Sequence, residues 1–185
     1  MVPEPISIEM SSATTLPDAA AVPIRAPRLL GLYLLLIIIA AIESFDGLSH
    51  APMLFGDMAE IPGPGLGGAI IKAYIAVHPL LALAALAFAT IGRLRYAIMA
   101  LGALVLMNWL NDMPSVVRHG LDFRGVSAFQ TPVQIVAYPV MGACAIALAT
   151  RSQRLGLAAL LVSVPTLFGV LAVLAFGIGV FLYGF

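Results

Sequence analysis

Charge is what this chain has least of. Nine basic and nine acidic residues stand among 185, 10% in all, against 62% hydrophobic residues. A soluble domain carries roughly 25% charged residues on its surface, so an ordinary water-facing domain is excluded. The charges cancel, and no basic run marks a nucleic-acid partner. Cysteine is nearly absent. Cys144 stands alone in an apolar run, which excludes a disulfide framework and a cysteine-based metal site. There is no G-x-x-x-x-G-K-[ST] phosphate loop, no H-E-x-x-H and no G-x-S-x-G turn. Those absences weigh against a hydrolytic enzyme, and an enzyme of any kind is the less favoured expectation.

What the chain has is hydrocarbon. Mean hydropathy is +1.07, the value of a multi-pass membrane protein rather than a soluble core. A span needs about 20 mostly apolar residues to cross roughly 30 Å. Five stretches qualify: about Leu29 to Leu48, Ala69 to Ile91, Tyr96 to Asn111, Thr131 to Thr150 and Leu157 to Tyr183. The third is short unless it continues past Asp112. The expected fold is all-α, a five-helix transmembrane domain over 29–185 in a lipid bilayer. Residues 1–28 are rich in Pro, Ser, Thr and Ala and read as a disordered tail. The first span lacks a good cleavage site after its apolar stretch, so it is expected to be retained.

Lys and Arg set the orientation, because cytoplasmic loops hold their excess. Arg25, Arg28, Arg93, Arg95, Arg151 and Arg154 fall on one side of a five-span layout, and Lys72, Arg118 and Arg124 on the other. The N-terminus is expected in the cytoplasm and the C-terminus outside, in a bacterial-type inner membrane. Glu43, Asp46, Asp57, Glu60, Asp112 and Asp122 then lie in the outer half, with His50, His78 and His119.

A repeat is visible at an offset of sixty residues. "IAVHPLLALAALAFAT" (Ile75–Thr90) aligns without a gap to "IVAYPVMGACAIALAT" (Ile135–Thr150), and six of sixteen positions are identical. Spans two-three and four-five would then be parallel two-helix repeats. Shared alanine content gives the same likeness without a repeat, and the two explanations weigh equally.

The polar residues carry the functional question. Leu29 to Ile42 would rise only about 21 Å as a helix, too little to span. The helix must continue, which draws Glu43 into the outer membrane region. Glu43, Asp46 and His50 fall within roughly 60° on that helix. Asn108, Asn111 and Asp112 fall within about 100° on another, before Pro114, which is expected to end or bend the helix. Trp109 fits a membrane interface. Thr131, Gln134 and Tyr138 share a face, and His78 sits beside Pro79. A carboxylate at membrane depth is costly and faces a partner or water.

These faces are expected to converge on an outward-facing polar cavity. Asn108, Asn111, Asp112, Gln134 and Tyr138 would line it, and Glu43, Asp46, His50 and His78 would be candidate ligands for a divalent metal. Carboxylates with imidazole suit ion, proton or metal handling. The simpler alternative pairs Glu43, Asp46 and Asp112 with Lys72, Arg118 and Arg124, and leaves His50 and His119 solvated; for those two histidines it is preferred. The loops "DMAEIPGPGLGGA" and "SVVRHGLDFRGVSAF" read as connections. Gly177 and Gly179 allow close packing in the last span. Two further roles stand beside ion handling. One is a non-catalytic accessory subunit of a larger membrane complex, respiratory for example, or a homo-oligomer. The other, less favoured, is a b-type haem protein, which would need histidines at matched depth.

Overall fold

A computed structural model describes residues 26–50, 52–55, 65–121, 123–124 and 131–184. The tail 1–25, Asp57, Glu60, Asp122 and most of both connecting loops lie outside the described residues. Every regular element described is helical: α1 (Ala26–His50), the short α2 (Pro52–Phe55), α3 (Leu66–Thr90), α4 (Leu94–His119), α5 (Tyr138–Thr150) and α6 (Leu155–Tyr183). A π-helical turn, Val133–Ala137, runs directly into α5. Five helices are long and apolar enough to cross a membrane: Leu30–His50, Leu66–Thr90, Leu94–His119, Val133–Thr150 and Leu155–Tyr183.

The third span differs from its expected end at Asn111. It continues through Pro114 to His119 and closes on Gly120 at φ 77°. Proline removes one backbone bond, here the one to the Leu110 carbonyl, and helices inside a bundle tolerate that loss. The residues around it, Met113 to Val117, keep the helix going on both sides.

Successive spans run antiparallel. The Tyr33 hydroxyl donates to the Gly92 carbonyl at 3.2 Å, so the start of α1 lies beside the α3–α4 turn. Around that end the helices enclose a dry core of small and branched residues, including Leu36, Ile39, Ala82, Ala85, Ile98, Leu101, Ala145, Ala158 and Val162. Alanine permits close helix approach where hydrocarbon outside offers no hydrophobic driving force. Gly102 and Gly142 bring α4 and α5 closest. A Cβ on Gly102 would lie 2.7 Å from Ile146 and 3.2 Å from the Gly142 carbonyl.

The two tight turns are built alike. Thr90 and Thr150 donate side-chain bonds to Ala87 and Ala147, both at 2.9 Å. The N–H groups of Ile91, Gly92 and Arg93 bond to Ala87, Ala89 and Phe88; those of Arg151, Ser152 and Gln153 bond to Ala147, Ala149 and Leu148. Each bond has its counterpart sixty residues on.

Candidate functional site

The half of the bundle away from these turns carries the polar side chains. Prolines stand within its helices beside polar residues: Pro79 follows His78, Pro139 follows Tyr138, Pro165 precedes Thr166, and Pro114 lies two residues after Asp112. At this level a cavity of about 640 Å3 opens between α1, α3, α4, α5 and α6. Glu43 and Asp46 line it from α1, Tyr74 from α3, and Asn108, Asn111 and Asp112 from α4. Gln134 and Tyr138 line it from the π-turn and α5, and Thr166 from α6. Ile42, Phe45, Val105, Pro165, Val170, Val173 and Leu174 give it an apolar wall.

Glu43 is the best-held polar group. Its Oε1 accepts a bond from the Thr166 hydroxyl at 2.6 Å, and its Oε2 lies 3.3 Å from Nε2 of His78. Its side chain is 12% exposed and that of His78 only 3%, so this pair sits where water is scarce. The Tyr74 ring packs 4.9 Å from the His78 ring. One turn beyond Glu43, Gly47 lets α1 rest directly on α3. A Cβ there would stand 2.7 Å from Nδ1 of His78 and 2.9 Å from the Pro79 Cα.

The π-turn has a local cause and a distant partner. Tyr138 N–H bonds to the Val133 carbonyl, five residues back. Pro139 has no N–H to give the Ile135 carbonyl, its α-helical acceptor. The Trp109 indole fills that vacancy from α4, with Nε1 3.0 Å from the Ile135 oxygen. Trp109 therefore spends its donor on the backbone of a neighbouring helix. Asn108, next to it, has the opposite condition: its Oδ1 is buried without a hydrogen-bond partner among the described residues.

The structure thus gathers Glu43, Asp46, Asn108, Asn111, Asp112, Gln134 and Tyr138 around one cavity, with His78 behind Glu43. His50 stands apart, its Nδ1 2.9 Å from the Asp46 backbone carbonyl. His119 likewise turns its Nδ1 toward Ser115, at 3.2 Å. Of the four residues expected as metal ligands, Glu43 and His78 join side chain to side chain, whereas His50 meets only the Asp46 backbone. Among the described residues no three His, Cys, Asp or Glu side chains come together as a metal group. Among the described residues, neither Lys72 nor Arg118 forms an ion pair with Glu43, Asp46 or Asp112. Thr166, Tyr74 and Gly47 escape a reading of the sequence; a hydroxyl beside a proline in an otherwise apolar span is the available signal for Thr166. Comparison with protein-family models, curated proteins and solved structures found no match for the chain.

Proposed function

We propose that this multi-pass membrane protein handles protons or other small cations through its intramembrane cavity, with Glu43 as the exchanging carboxylate. The observation that carries this is the Glu43 side chain, fixed between His78 and Thr166 at the edge of a polar cavity. An ionisable group inside a span is expensive to maintain and marks ion or proton paths. Imidazole and hydroxyl donors can hold the carboxylate form and release it when a proton or cation arrives.

The Lys and Arg distribution supports a cytoplasmic N-terminus and an outward-facing cavity in a bacterial-type inner membrane. The matching turn bonds and the buried alanines at Ala85 and Ala145 support a duplicated helix pair. Infrared difference spectra of the protein in nanodiscs, taken as pH is stepped, test the function. A carboxylic C=O band that titrates, and disappears in Glu43→Gln, is the expected result. Spectra unchanged by that substitution overturn the proposal.

A second role, as subunit of a larger membrane assembly, is favoured by α6. From Leu171 to Ile178 every residue of that helix is exposed, with Phe176 at 72% and, further on, Phe181 at 88%. Native mass spectrometry after gentle extraction separates the two: a defined partner or second copy supports the subunit role, and a monomer removes it.

A further inference from the structure

We infer that the cavity's ligand is an organic ammonium ion, a protonated amine carrying an apolar body. The inference rests on the proposal above that the cavity takes cations, and it names their class. Size is the first argument. A volume of about 640 Å3 falls among small-molecule sites, roughly 300–1,000 Å3, and far exceeds what a bare ion fills. The lack of a three-ligand metal group among the described residues fits the same conclusion.

Charge and hydrogen bonding select the ligand's polar end. Among the described residues, the lining holds three carboxylates and no Lys, Arg or His. Glu43 is already engaged by His78 and Thr166, whereas no Lys or Arg that lines the cavity faces the carboxylates of Asp46 and Asp112. The Asn108 Oδ1 is a buried acceptor waiting for a donor. Most buried polar groups in folded proteins are hydrogen-bonded, and an exception asks for a reason, a bound ion or ligand being one. An ammonium group supplies donors only, together with the positive charge, and meets both demands at once.

The rest of the wall selects the apolar body. Tyr74 and Tyr138 offer aromatic rings, which attract cations, and Val170 and Val173 line the side toward α6. Gly169 also lines the cavity, and a Cβ there would meet nothing within 4 Å. That open space leaves room for a hydrocarbon group against α6.

The test uses the full chain in phosphatidylglycerol nanodiscs and isothermal titration calorimetry. The probes are 2-phenylethylammonium, its neutral counterpart 2-phenylethanol, methylammonium and sodium. The expected result is binding of phenylethylammonium, at least about tenfold weaker binding of the alcohol and of methylammonium, and a further loss of about tenfold or more in Asp112→Asn, as a charge-assisted bond implies. Gly169→Leu, whose Cβ meets no heavy atom within 4 Å, should keep the melting temperature and abolish binding. Equal binding of amine and alcohol, or full binding in Gly169→Leu, overturns the inference. Sodium binding without amine binding overturns the ammonium assignment while leaving the cation proposal intact. No binding by any probe, with infrared spectra indifferent to Glu43→Gln, sinks both. Repeating the titration with phosphatidylethanolamine in the disc identifies the source: competition assigns the site to a lipid ammonium headgroup, and unchanged affinity to a free amine.

Discussion

The indole of Trp109 on α4 donates to the carbonyl of Ile135, the oxygen that Pro139 leaves without its helical partner. One span thereby repairs a break in another. Trp109→Phe keeps an aromatic ring and removes the donor, so the carbonyl is left bare. A loss of about 1–3 kcal/mol is expected, the cost of an unsatisfied buried group. The same substitution in a Pro139→Ala background should cost much less, because alanine brings back the missing N–H. A double-mutant cycle on reversible unfolding measures the difference. Equal costs in the two backgrounds would show that the bond does not compensate for the proline.

Asn108 beside it should behave in the opposite way. Its buried Oδ1 lacks a partner, so Asn108→Leu removes a desolvation penalty of about 1–3 kcal/mol. The unliganded protein should melt higher and bind phenylethylammonium less well. Gain of stability with loss of binding is the signature of a polar group kept for function. Lower stability would instead point to an unseen partner for the amide.

Gly47 controls how closely α1 approaches α3. Gly47→Ala places a methyl group 2.7 Å from His78 Nδ1 and 2.9 Å from Pro79 Cα. The second contact is backbone and cannot swing away, so α1 must shift and the Glu43–His78 contact must lengthen. Destabilisation of about 1–3 kcal/mol, the range for overpacking, should appear together with a displaced Glu43 infrared band. An unchanged band would separate the glycine from the site.

Orientation can be checked with the native cysteine removed. Cys144 is free and exposed, so Cys144→Ala provides the background. Gln153 lies in the α5–α6 turn and Val117 near the far end of α4, both exposed. In intact cells, a membrane-impermeant thiol reagent should label the Val117→Cys variant and spare Gln153→Cys. The reverse pattern would invert the protein and turn the cavity inward.

Hydropathy and length made the five spans legible, because each must bury its backbone bonds within one helix. The polar faces around Asn108, Asp112, Gln134 and Tyr138 were legible for a related reason: such residues are costly to turn toward lipid. Sequence failed where two spans complete each other. Nothing local in α1 reveals that Glu43 meets Thr166, which is 123 residues away in the chain. Nothing local in α4 reveals that Trp109 serves a proline in α5. His50 shares the stripe of Glu43 and Asp46 on the helical wheel, yet at the end of α1 its ring folds back onto its own backbone. Angle around a helix was readable, whereas depth and cross-helix partners were not.

The central claim is that Glu43 exchanges a proton inside the membrane. A hydrophobic carbodiimide reacts with protonated carboxyl groups in apolar surroundings, and mass spectrometry locates the adduct. The account expects modification at Glu43, suppressed by phenylethylammonium. Modification of Asp46 or Asp112 with Glu43 untouched at every pH would contradict it.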